Sequence, residues 1–145
     1  MSGSRCLDLG AGIGRVAKGL LQSFFTYVDL VDQNEVYLKK ARDSMGTKNV
    51  KYQVSALQGF KVTEMDRDYN CFWIQYALMY LMDDDVVDLL SMCSNFRHDD
   101  ESLIIVKDNV VAVERARDSK AVHRTKDQWF ALFVRAGLQV VDDRK

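Results

Sequence analysis

Two hydrophobic periods alternate along the 145 residues. Short apolar runs stand at Arg5–Leu9, Tyr27–Val31, Val50–Val54, Tyr69–Gln75 and Ser102–Lys107, the length and character of strands; Tyr69–Gln75 is apolar enough to be buried on both faces. Between them apolar residues recur at helical spacing. Ile13, Val16, Ala17, Leu20, Leu21 and Phe24 predict a first helix, and Leu38, Ala41 and Met45 a second, which Asn34 can cap and Gly46 stops. Val86, Leu89, Leu90 and Cys93 form the inner stripe of a third, opened by Asp83–Asp85 where acids suit the positive helix end. Trp129, Leu132, Phe133 and Ala136 mark a fourth, ended by Gly137, and Leu138–Val141 begins a sixth strand. Strands alternating with helices predict an α/β fold, a Rossmann-like, doubly wound, mainly parallel sheet with helices on both faces. Ligands of such sheets bind at the carboxyl ends of the strands, which places Gly10, Asp32, Gln75 and Asn109 on one rim.

Length and composition narrow the picture. Residues 1–145 suit one domain, with residues 1–4 read as a linker. A formal charge of −1 gives no general pull toward nucleic acid or anionic lipid, and no apolar run approaches a membrane span. Cys6, Cys71 and Cys93 lie in apolar surroundings without metal-ligand spacing, so they read as buried reduced thiols, which suits the cytoplasm or nucleus. His98 and His123 sit in polar stretches, and no metal site is expected. Trp73, Met79, Met82 and Met92 read as packing residues.

The candidate chemistry begins at Asp8-Leu9-Gly10-Ala11-Gly12-Ile13-Gly14-Arg15, between the first strand and first helix. Glycines there permit a tight turn and close approach of a ligand. The third glycine comes one residue earlier than in the dinucleotide fingerprint, and Arg15 takes its place. That spacing counts against a pyrophosphate cradle and fits a loop wrapping S-adenosylmethionine. Asp32, ending the second strand, can accept both ribose hydroxyls of an adenosine, and Arg15 can pair with the cofactor's carboxylate.

The chain resembles the protein alpha-N-terminal methyltransferases, class I enzymes that use S-adenosylmethionine to methylate the exposed amino group of proteins beginning Xaa-Pro-Lys. The matching segments are Leu7–Arg15, Val28–Asp32, Leu57-Gln58 with Phe60, Trp73-Ile74-Gln75, Ile105–Asn109, Asp118-Ser119 and Arg135–Leu138. Trp-Ile-Gln and Lys-Asp-Asn are the most particular of these. The resemblance implies that Gly10, Gly12, Arg15 and Asp32 hold the cofactor, that Leu57 and Gln58 lie along its adenine, and that Gln75 reaches its methionine end. It implies that Asn109 binds the substrate's first residue and orients the amine, and that Asp118 accepts the proton. Tyr76 and Tyr80 occupy positions where the family has a substrate-side Trp and His; a phenol, with an ordinary pKa of about 10, is a poor base at neutral pH. The partner implied is a protein amino-terminal peptide, and the product of the cofactor is S-adenosylhomocysteine.

Family members also carry helical sequence before the first strand and end in an antiparallel hairpin, so a core without its last strand and N-terminal helices is expected. Two alternatives stay open: a methyltransferase for another protein site or a small molecule, which Tyr76, Tyr80 and the basic residues Arg115, Arg117 and Lys120 leave room for, and a non-catalytic methyltransferase-like binding module.

Overall fold

The computed structural model describes residues 3–61, 68–117 and 120–145. Five parallel strands, β1 (Arg5–Leu9), β2 (Tyr27–Asp32), β3 (Val50–Val54), β4 (Cys71–Gln75) and β5 (Leu103–Lys107), form one sheet in the order β3-β2-β1-β4-β5. The order reverses between β2 and β4 about the central β1, which is the switch point expected of a doubly wound sheet. Among the described residues four helices cover it: α1 (Arg15–Gly19), α2 (Glu35–Met45), α3 (Asp83–Asn95) and α4 (Lys126–Arg135).

Strand alternation sorts the core onto two faces. Cys6, Val28, Leu30, Val50 and Cys71 pack against Ala17 and Leu21 after β1 and against Leu38 and Ala41 of α2. Leu7, Leu9, Val31, Phe72 and Ile74 face Val86, Leu89, Leu90 and Cys93 of α3 and Trp129 and Leu132 of α4. Each such buried aliphatic or aromatic side chain contributes about 2 kcal/mol. A polar bond is buried in this interior: the Tyr69 hydroxyl donates to Asp29 Oδ2 at 2.8 Å. All three cysteines are free and buried, as expected. Among the described residues no helix is long and apolar enough to cross a membrane.

The helix ends follow local chemistry. Asn34 accepts from the amides of Val36 and Tyr37, and Gly46, at φ 74°, ends α2. Thr125 and Gln128 form a reciprocal capping box that starts α4 three residues before its apolar stripe begins at Trp129.

Four expectations need correction. The first helix does not run on to Phe24. It stops at Gly19, a residue that costs a helix roughly 1 kcal/mol, and a 3₁₀ turn over Leu21–Ser23 follows, leaving Ile13, Leu20 and Phe24 exposed. The fourth strand begins at Cys71; Tyr69 makes only an isolated bridge with Arg97. The fifth begins at Leu103 rather than Ser102. Leu138–Val141 forms no strand. A strand exists only through a neighbour's hydrogen bonds, and a groove of ≈ 460 Å³ runs between Leu138–Arg144 and β5.

Candidate active site

The turn after β1 is built on left-handed backbone. Gly10, Gly12 and Gly14 have φ of 83°, 59° and 82°. The amides of Gly10 and Ala11 both donate to the carbonyl of Val31, at 2.8 and 2.9 Å, which lashes the turn to β2. A side chain at Gly10 would put its Cβ 2.8 Å from that of Ala77, whereas a Cβ on Gly12 would meet nothing within 4 Å. Gly10 is thus required by protein packing, and Gly12 leaves open space at the mouth of the turn.

Asp32, at the end of β2, takes the Gly12 amide on Oδ2 and the Asn34 amide on Oδ1, both at 2.8 Å. These bonds fix the carboxylate while leaving each oxygen a further lone pair. A cleft of ≈ 240 Å³ opens beside them, lined by Asp8, Gly10, Gly12, Arg15, Gln75 and Tyr76 among others. It sits where β1 and β4 end, at the switch point. The larger groove beside β5 includes none of these rim residues.

Asp8 is a candidate site residue to which the sequence reading gave no role. It is 3% exposed, it lines the cleft, and its Oδ2 is buried without a hydrogen-bond partner among the described residues. Burial, helped by the Asp32 carboxylate, pushes its carboxyl up to about 7. An acid before the glycines, inside an otherwise apolar strand, was the available signal. An unsatisfied buried oxygen costs roughly 1–3 kcal/mol, and a cationic ligand group in the cleft would answer it. This orphaned carboxylate, the open space at Gly12 and the oriented Asp32 together fit S-adenosylmethionine, whose charge is positive at sulfur and amine and whose ribose presents two hydroxyls.

Across the switch point, Gln75 ends β4. Its carbonyl accepts from the Trp73 indole at 3.1 Å, so its amide NH₂ is left for another partner. Trp73 is half-buried and orients Gln75 besides packing. Tyr76 follows with φ 52°, a strained value for an aromatic residue. Its amide donates to the Lys107 carbonyl at 2.7 Å, and its ring lies 5.7 Å from Lys107 Nζ. Tyr80 is exposed and is not among the residues lining the cleft, and Met82, expected to pack, is 50% exposed with the Arg117 guanidinium against its sulfur. Asn109 follows β5, exposed, with its side-chain amide 3.7 Å from Met79 Sδ. Neighbouring Asp108 receives the amides of Met79 and Asn109 at 3.2 and 2.8 Å, and burial raises its carboxyl above the ordinary range.

The structure therefore brings Gly10, Gly12, Arg15, Gln75 and Tyr76 to one cleft, with Asp32 bonded to its rim. Arg15 is exposed at the start of α1. Leu57 stands beside the turn, its Cδ1 3.8 Å from where a Gly10 Cβ would sit. Gln58 is exposed one residue on, and neither it nor Leu57 lines the cleft. Asp118 lies outside the described residues.

Comparison with known proteins agrees with this geometry. A family model described as AdoMet dependent proline di-methyltransferase matches residues 2–145. The chain is 38% identical, over 97% of its length, to N-terminal Xaa-Pro-Lys N-methyltransferase 1 of Danio rerio, and 37% identical, over 93%, to Alpha N-terminal protein methyltransferase 1 of Dictyostelium discoideum. It spans 64% and 51% of those relatives. A solved SAM-dependent methyltransferase from Leishmania major superposes on 97% of the chain with a TM-score of 0.83 at 26% identity, the chain covering 57% of it.

Proposed function

Since the chain belongs to the family of AdoMet-dependent proline di-methyltransferases, we propose that it transfers a methyl group from S-adenosylmethionine to the α-amino group of proteins with an exposed Xaa-Pro-Lys terminus. The observation that carries this reading is the cleft at the switch point: an orphaned buried carboxylate, an open glycine turn and an oriented acid on one side, Gln75 and Tyr76 on the other. When bound, the cofactor supplies an electrophilic sulfonium methyl and departs as S-adenosylhomocysteine.

The chain's own residues have a defined share of the work. Gly10 and Gly12 keep the turn open, Asp8 and Arg15 are matched to the cofactor's charges, and Asp32 to its ribose. Leu57 and Gln58 are assigned to the adenine side and Gln75 to the methionine end. A free α-amino group has a pKa of about 7.7–8.0, so roughly a tenth to a sixth is neutral at pH 7. A strong base is not required, and positioning contributes most of the acceleration. Asn109 orients the amine, Asp118 takes its proton directly or through water, and Tyr76 and Tyr80 are assigned to the substrate side. The buried thiols support a cytoplasmic or nuclear site of action.

Mass spectrometry of a Ser-Pro-Lys peptide incubated with protein and S-adenosylmethionine tests the reading against a Ser-Ala-Lys control. Methyl mass gains on the first peptide alone support it. Cofactor binding without gain on either peptide favours another acceptor, the reading to which exposed Tyr80 and the cation Arg117 beside Met82 lend support. Absent cofactor binding would leave a methyltransferase-like binding module.

A further inference from the structure

Arg124 is a buried cation that the proposed reaction does not use. Its side chain is 2% exposed, and its carboxylate partner Asp83 lies largely in solvent. The guanidinium donates to Asp83 Oδ1 from Nε at 2.9 Å, to the Leu78 carbonyl from Nη1 at 3.2 Å and to the Leu81 carbonyl from Nη2 at 2.7 Å. It also lies 4.9 Å from the centre of the Trp129 ring. The Trp129 indole in turn donates to the backbone carbonyl of Asn109 at 3.0 Å. Two main-chain bonds close the frame: Val111 N to Arg124 O at 3.0 Å, and Val122 N to Met79 O at 2.7 Å.

Three stretches meet here that no sheet or helix ladder joins. One is the turn after β4, another the segment after β5, and the third the approach to α4. An ion pair with one partner largely in solvent contributes little, about 0–1 kcal/mol, so the pairing with Asp83 alone does not account for a buried guanidinium. Arginine's planar fork is suited instead to holding several acceptors at set directions. Here those acceptors are the carbonyls flanking Met79 and Tyr80, while the face of the guanidinium backs the indole that holds Asn109.

We propose that Arg124 is a positioning residue for the peptide-binding half of the site, fixing the Leu78–Leu81 turn directly and the Asn109 backbone through Trp129. The inference rests on the reading of Asn109 and Tyr80 as substrate-facing residues. Among the described residues no hydrogen bond joins Asp8, Gly10–Gly14 or Asp32, on the cofactor side, to this frame, so the two halves of the site should respond differently when it is loosened.

The test compares wild type with Arg124→Met, Arg124→Lys and Trp129→Phe, measuring peptide KM and kcat, S-adenosylmethionine Kd, and amide hydrogen exchange. Expected are a tenfold or larger fall in peptide kcat/KM for both Arg124 variants, about threefold for Trp129→Phe, and a cofactor Kd within twofold throughout. Failure of the Lys variant to rescue is part of the expectation, since an ammonium is a single point of charge and lacks the planar fork that spans both carbonyls and Asp83. If cofactor affinity and peptide turnover fall in step, or neither changes, Arg124 is only a structural ion pair and the proposal is overturned. Should Arg124→Met not fold, Trp129→Phe and Arg124→Lys carry the same comparison. Should wild type methylate no Xaa-Pro peptide, the acceptor assignment fails separately. Amide exchange still reads the frame: at least tenfold faster at Leu78–Leu81 and Asn109–Val111 with Gly10–Gly14 unchanged supports it, and uniform or absent change overturns it.

Discussion

Replacing Asp8 by asparagine separates what this buried acid costs the fold from what it gives the cofactor. Its carboxyl is raised from the ordinary 3.8 to about 7, chiefly by burial and then by Asp32. The folded state therefore holds a proton that the unfolded chain releases in this interval. For an acid shifted upward, stability is fully present below the ordinary value and is lost as pH rises through the folded one. At the alkaline limit the loss is on the order of 4 kcal/mol. The Asp8→Asn variant, neutral at every pH, should thus exceed the ligand-free wild type by about 4 kcal/mol at pH 8.5 and by under half of that at pH 5. Urea melts at the two pH values measure the difference. The cofactor reverses the sign. A cation in the cleft favours ionised Asp8, so binding expels a proton below pH 7, and wild-type affinity should climb between pH 5.5 and 7 and then level. Titration calorimetry at pH 6.5 in phosphate and in imidazole counts the released proton. The variant should bind more weakly at pH 8 and lack the Asp8-linked rise. Equal affinity of both proteins at pH 8, or identical pH slopes, would refute the assignment of Asp8 to the cofactor.

Other substitutions follow from the same geometry. Gly10→Ala should lose about 2 kcal/mol or more of stability, because its Cβ collides with that of Ala77 at positive φ, and thermal melting reads this without ligand. Gly12→Ala carries only the backbone strain, about 1 kcal/mol, yet should weaken S-adenosylmethionine binding at least tenfold; equal losses of stability in the two variants would contradict the distinction. Tyr69→Phe should cost about 1.5–3 kcal/mol by urea melt, the range for a hydrogen bond to a charged group, by removing the 2.8 Å bond to Asp29 Oδ2. Asp118→Ala should reduce kcat while leaving cofactor Kd unchanged, and a wild-type rate would remove its role as proton acceptor.

The cofactor half of the molecule was more legible in the sequence than the substrate half. Its signals are local: Gly10, Gly12 and Gly14 at fixed offsets, Asp32 at a strand end, Asn34 before a helical period. The two apolar periods likewise foretold the five strands and four helices found among the described residues, along with a sixth strand and a longer first helix that are not found there. The errors arose where tertiary partners decide. Ile13, Leu20 and Phe24 keep helical spacing, but Gly19 interrupts the helix and leaves them in solvent. Leu138–Val141 has strand composition and pairs with no strand. Asp8 opens the glycine motif yet escaped notice as a site residue, because its place in an apolar strand does not show that one oxygen is buried without a donor. Arg124 did so because its five partners lie up to 46 residues away along the chain.

Tyr76 sets robustness against usefulness at a single position. Its φ of 52° is one that glycine or asparagine adopts with far less strain, and its main-chain bond to Lys107 would survive either replacement. What both would lose is the ring that walls the cleft and faces the Lys107 ammonium. A laboratory selection for heat resistance alone should drift toward the smaller residues at this site, and its winners would be hardier proteins with a breach in the cleft.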